Sequence, residues 1–200
     1  MVALRRRFLA LGDSYTVGES VAPEEAWPAQ LTSRIPGPPF DVHVVAVTGW
    51  TSGELLSALE KSPPEGLFDL VSVQVGVNDQ YRSLPIDQFV ANAVQLLVRA
   101  DHYRGEAGGV FAVSIPDWGV TPFGADRNAD AIGAEIDSFN AAWREVAGEV
   151  GIPFADVTPL SRSHPELVAE DGLHPSGRQY RLWVEAILPV VRPMLADSTE

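Results

Sequence analysis

The chain has 200 residues, of which 46% are hydrophobic and 20% charged, a balance that suits one folded domain over residues 1–200 and excludes a disordered chain. Fourteen Lys and Arg against 27 Asp and Glu leave a formal charge of −13, which repels phosphate backbones and anionic lipid, so neither nucleic acid nor a membrane is an expected partner. The sequence holds no cysteine; disulfides, thiolate metal sites and a thiol nucleophile are ruled out, and any nucleophile must be oxygen or nitrogen.

Met1 to Arg7 is basic, but the apolar run behind it, Phe8 to Leu11, stops at Gly12-Asp13-Ser14. That is too short for a signal peptide, and the chain reads as cytoplasmic. The same run is the first predicted strand, and Arg5 to Arg7 reads as its solvated lead-in. A helix over Glu24 to Ile35 follows, then a strand over Val42 to Val47 and a helix over Ser52 to Lys61. Phe68 to Val75 is the third strand. Ile86 to Arg104 repeats Phe89, Val90, Ala93, Val94, Leu97 and Val98 at helical spacing. Val110 to Ile115 is the fourth strand, Ala131 to Val150 a helix, and Ile152 to Ala155 the fifth strand. The last helix, Ser176 to Leu195, aligns Tyr180, Trp183, Val184, Ile187 and Leu188 on one face, with Ser176 as its N-cap.

The strands are nearly continuous in hydrophobicity, which points to a parallel sheet covered on both faces in a three-layer α/β/α sandwich. Ligands of such sheets bind outside the carboxyl ends of the strands. Gly12 to Ser14, Gly49, Gly76 to Asn78 and Pro116 to Trp118 all follow strands and therefore share that rim. At the far end of the chain, Asp171 and His174 lie on one short turn before the last helix. A serine hydroxyl barely ionises at neutral pH and needs a neutral imidazole to take its proton, with a carboxylate to hold that imidazole. Ser14, His174 and Asp171 supply the three groups. Taken singly each motif is weaker: Gly-Asp-Ser also caps helices, and Asn78-Asp79 reads as a turn.

Together, Gly12-Asp13-Ser14, Gly49, Gly76-x-Asn78-Asp79 and Asp171-x-x-His174-Pro175 resemble the four sequence blocks of the SGNH, or GDSL, hydrolases, in order and in spacing. The resemblance implies a flavodoxin-like fold, ester hydrolysis through an acyl-serine and no cofactor. It assigns Ser14 as nucleophile, His174 as general base and Asp171 as its orienting acid. It also assigns an oxyanion hole to the N–H groups of Ser14 and Gly49 and the side chain of Asn78. Tyr15 stands where the family name has leucine, and Gly53 competes with Gly49 for the donor role in the second block. Trp50, Tyr81, Trp118 and Phe123 fall on rim loops and are candidate walls of an ester pocket. The loop Pro116 to Asn128 is long enough to face substrate. No Gly-x-Ser-x-Gly elbow or Walker lysine motif occurs. A metal site built from Asp13, Asp79, Asp171 and His174 is a rival reading, without the local histidine pairing expected of one. The same residues would also serve an acyltransferase that passes through the same acyl-enzyme, and the layout alone would suit a non-catalytic flavodoxin-like binding protein.

Overall fold

A computed structural model describes residues 5–196. Five parallel strands, β1 (Arg6–Gly12), β2 (Phe40–Ala46), β3 (Phe68–Gln74), β4 (Arg104–Val113) and β5 (Phe154–Ala155), form one sheet in the order β2-β1-β3-β4-β5. This is the flavodoxin-like order, whose switch point lies between the first and third strands. Helices α1 (Ser14–Val17), α2 (Trp27–Ser33), α3 (Ser52–Lys61), α4 (Val77–Tyr81), α5 (Ile86–Tyr103), α6 (Ala129–Glu149), α7 (Thr158–Ser163) and α8 (Gly177–Ala196) connect and cover it.

Side-chain alternation along the strands sorts the core into two layers. Phe8 of β1 and Phe111 of β4 stack at 6.3 Å and share Trp27 of α2, at 6.1 and 6.2 Å, on the side packed by α2 and α8. In the other layer Phe89 of α5 meets Phe139 and Trp143 of α6 at 5.2 and 6.1 Å. The indole of Trp143 donates to the carbonyl of Val113 at the end of β4.

Several boundaries differ from the sequence expectation for local reasons. Glu24 to Ile35 is broken at Ala26, whose extended backbone ends a 3-10 turn and forms the N-cap of α2, with Pro28 in that helix's first turn. β4 starts at Arg104, but its pairing with β3 jumps from Phe68↔Arg104 to Leu70↔Gly109, so regular register begins near the expected Val110. β2 is an edge strand with Val44 46% exposed, and is not covered on both faces. The Asn78-Asp79 turn is instead a helix, α4, and a further short helix, α7, follows β5. Met1 to Leu4 of the basic lead-in lie outside the described residues. Arg6 and Arg7 do not simply extend into solvent: their guanidinium groups cover the rings of Phe40 and Phe68 at 4.1 and 4.2 Å. Ser176 caps α8 as expected, accepting the N–H of Gln179.

Candidate active site

The site is assembled where β1 and β3 end. Gly12 closes β1 because a Cβ there would collide with Thr16 Oγ1 and lie 2.5 Å from the Gln74 carbonyl. Asp13 then caps α1 by accepting the Tyr15 N–H at 3.0 Å, which makes Ser14 the first helical residue at the carboxyl edge of the sheet. On β3's side, Gly76 adopts φ 128 with Phe89 so close that a Cβ would meet its ring at 2.6 Å. That turn starts α4 and delivers Asn78 beside Ser14. Asp79, next along, is buried and accepts both the backbone N–H (2.8 Å) and the hydroxyl (2.5 Å) of Ser52, tying α4 to the start of α3.

The third loop arrives from the other end of the chain. His174 Nε2 lies 3.0 Å from Ser14 Oγ, and His174 Nδ1 lies 2.6 Å from Asp171 Oδ2. The other carboxylate oxygen of Asp171 accepts the N–H groups of Leu173 and His174 at 2.9 and 3.0 Å. Burial pushes the Asp171 carboxyl up, but the bonds from His174, Leu173 and Ser20 outweigh it and hold it at about 2. With Asp171 ionised, Nδ1 carries the imidazole proton and Nε2 presents its lone pair to the serine. Ser14 and His174 are 5% and 8% exposed, open enough for a small reactant and shielded enough to strengthen electrostatics.

Three candidate donor residues, Ser14, Gly49 and Asn78, line one cavity. Among the described residues neither the Ser14 N–H nor the Gly49 N–H has an acceptor. Gly49, at φ 85, lines the cavity above Ser14 together with Asn78, whereas Gly53 lies inside α3 and does not. One amide N–H of Asn78 binds the Trp50 carbonyl at 3.0 Å, and the other remains for the cavity.

This arrangement can deprotonate a serine hydroxyl and receive a developing oxyanion. Family comparison agrees: the sequence profile of the GDSL-like Lipase/Acylhydrolase family matches residues 10–182. The chain belongs to that family. An arylesterase of Vibrio mimicus is 29% identical over 93 residues, a stretch spanning 46% of this chain and 46% of that protein, so the match covers about half of the relative. Among solved structures, a lipolytic G-D-S-L family protein of Veillonella parvula superposes with a TM-score of 0.76 at 17% identity, covering 94% of this chain and 99% of the other. Axe2, an acetylxylan esterase of Geobacillus stearothermophilus, does so at 0.72 and 19%, covering 93% and 94%. At these identities the two structures bear on the fold alone, and both carry the SGNH sandwich.

In this member of the GDSL-like family the cavity beside Ser14 has a volume of about 230 Å³ and a mostly apolar lining. Tyr81, Trp118 and Phe123 form one wall, with ring centroids 5.3, 6.5 and 6.0 Å apart. Trp50, the fourth expected wall residue, does not line it: the indole packs half-buried against the core and the residue contributes its carbonyl to Asn78 instead. Trp118 is both wall and core, 3% exposed, its indole N–H donating to Gln80 Oε1 at 2.8 Å. Among residues the sequence did not single out, Thr48, Val77 and Leu173 also line the cavity. The Arg127 guanidinium sits 5.3 to 5.5 Å from all three wall rings, and Arg82 holds the Gly49 carbonyl. Their contacts are long-range, and no motif announces them.

The acidic residues of the rival metal reading are separately committed, Asp79 to Ser52 and Asp171 to His174. Asp13 is wholly buried, with one oxygen on the Tyr15 N–H and the other unpartnered among the described residues. Burial pushes its carboxyl up to about 7 against the Tyr15 N–H, which lowers it, with Asp79 adding to the rise.

Proposed function

We propose that this chain is a serine esterase for small, uncharged esters, with Ser14 as nucleophile, His174 as general base and Asp171 holding the imidazole. The observation that carries this reading is the unbroken Ser14–His174–Asp171 relay, at 3.0 and 2.6 Å, opening into an apolar cavity rimmed by unpaired donors.

Ser14 Oγ attacks the ester carbonyl carbon while its proton passes to His174 Nε2. The carbonyl oxygen, now anionic, is received by the N–H groups of Ser14 and Gly49 and the free amide N–H of Asn78. Collapse breaks the bond to the leaving alcohol, which takes the proton from His174 and departs, leaving an acyl-Ser14 ester. Water, deprotonated by the same imidazole, attacks that ester; the bond from the acyl carbon to Ser14 Oγ breaks, the serine takes the proton back from His174, and the acid is released. Substrate size follows from the cavity: 230 Å³ is below the roughly 300–1,000 Å³ of drug-sized pockets, and suits a short acyl or single aryl group. The partial likeness to an arylesterase supports the same class.

Labelling with a fluorophosphonate, read by intact mass, tests the mechanism. One adduct should form on the wild type and none on Ser14→Ala, which should also lose hydrolysis of p-nitrophenyl acetate while keeping its circular dichroism and melting temperature. A folded Ser14→Ala protein that still turns over would sink the proposal.

A further inference from the structure

Ser20 stands out on two independent grounds. Its hydroxyl donates to Asp171 Oδ2 at 2.7 Å, onto the very oxygen that lies 2.6 Å from His174 Nδ1. Its backbone is left-handed, with φ 64, a conformation that strains a non-glycine residue. Glycine would occupy this position with less strain. The adjacent residue, Glu19, accepts the hydroxyl of Thr48, the residue before Gly49. Two neighbouring side chains thus moor the segment after the nucleophile to both flanking loops, one to the donor loop and one to the acid.

We infer that Ser20 is a positioning residue for the acid–base pair: its hydroxyl fixes the Asp171 oxygen that orients His174 and takes up part of that oxygen's charge. The inference rests on the assignment of Ser14, His174 and Asp171 proposed above. Imidazolium forms during each proton transfer, and a carboxylate oxygen with a second donor grips that cation less tightly, so the proton is passed on to the leaving alcohol more readily. Without Ser20, Asp171 Oδ2 has His174 as its one partner among the described residues. The surrounding titratable groups do not substitute for it. Tyr15, with its ring 5.4 Å from that of His174, and Tyr180 on α8 both sense Asp171, and burial pushes both phenols up, so they stay uncharged. Asp13 and Glu19 complete the acidic set acting on Tyr180, and neither is a hydrogen-bond donor to Asp171.

The test compares the full chain with Ser20→Ala and Ser20→Gly on p-nitrophenyl acetate, from about pH 5 to about pH 9. Loss of the hydroxyl should lower kcat about tenfold with KM changed by less than about twofold. The acid limb of kcat/KM should move up by about half a pH unit, because the freed carboxylate holds the imidazolium more tightly. Ser20→Gly relieves the left-handed strain, so it should melt no lower than the wild type and yet show the same displaced limb. A folded Ser20→Gly protein whose limb coincides with or falls below the wild-type one overturns the inference. Fluorophosphonate labelling run alongside separates the two levels: labelled wild type with an unmoved limb refutes the role of Ser20 alone, whereas unlabelled wild type refutes the relay and the role together.

Discussion

Asn78 divides its amide between one acceptor and the cavity. One N–H is committed to the Trp50 carbonyl, which braces the loop carrying Gly49, and the second faces the cavity. As an oxyanion donor it strengthens only as charge develops, so Asn78→Ala should lower kcat by roughly a hundred- to a thousandfold and leave KM nearly unchanged. Steady-state kinetics on a variant shown to be folded decide the matter; a change confined to KM would make Asn78 a substrate binder. The aspartate of the relay stays ionised through the whole working range, since its carboxyl is held at about 2. Activity is therefore expected to rise with pH along one acid limb, that of the base.

At the scale of elements, the site depends on short pieces. α1 has four residues and α4 five, each started by a turn that no bulkier residue could make, and each carries one side chain of the proposed site, Ser14 and Asn78, at the ends of β1 and β3. The 3-10 turn Trp118–Val120 is anchored to α4 through the Trp118 indole and Gln80, and Gln80 in turn donates to Glu135 of α6 at 2.7 Å. Phe123 is held from the other side, its N–H donating to the carbonyl of Gly172 beside the relay. Truncating Trp118 therefore does two things. Trp118→Ala should cost about 3–5 kcal/mol of stability, visible in denaturant melts, because a buried ring is lost and Gln80 Oε1 is left without its donor. It should also enlarge the cavity, so that each added acyl methylene raises kcat/KM about fourfold until the new space is filled, at about 0.8 kcal/mol per buried CH₂. A series of p-nitrophenyl esters of increasing chain length reads this directly, and an unchanged profile would assign the acyl group to another part of the cavity.

Asp13 is a buried acid whose ionisation opposes the stability of the whole molecule at neutral pH. Asp13 is wholly buried and its carboxyl is raised from 3.8 to about 7. A raised carboxyl contributes stability that is fully present below its unfolded value and is lost as pH climbs through the folded one. Asp171 works in the opposite sense: lowered from 3.8 to about 2, its contribution is present above 3.8 and is lost as pH falls toward 2. The wild-type melting temperature should accordingly decline between about pH 4 and about pH 7 from Asp13. Asp13→Asn can still accept the Tyr15 N–H but cannot ionise, and should remove most of that decline, raising the melting temperature above the wild-type value by several degrees at pH 8. Calorimetry across this range checks it; parallel curves for the two proteins would show that Asp13 does not titrate there.

The layered α/β fold was legible in the chain because each strand is a short apolar run and each long helix has its 3.6-residue stripe, patterns that burial imposes locally. The order of four motif blocks carried the family in the same way, since Ser14, Asn78, Asp171 and His174 sit at fixed offsets from strand ends and glycines. Tertiary structure alone decided the rest. Whether Gly49 or Gly53 lines the cavity beside Ser14, whether Trp50 or Val77 does, and which hydroxyl bonds to Asp171 all depend on where a loop from another part of the chain comes to rest. Ser20 and Asp171 are 151 positions apart, and nothing in the residues around either one encodes that the other will lie within a hydrogen bond. Local pattern reports burial, a property of one segment; contact is a property of two, and exists only once the sheet has brought their loops to the same edge.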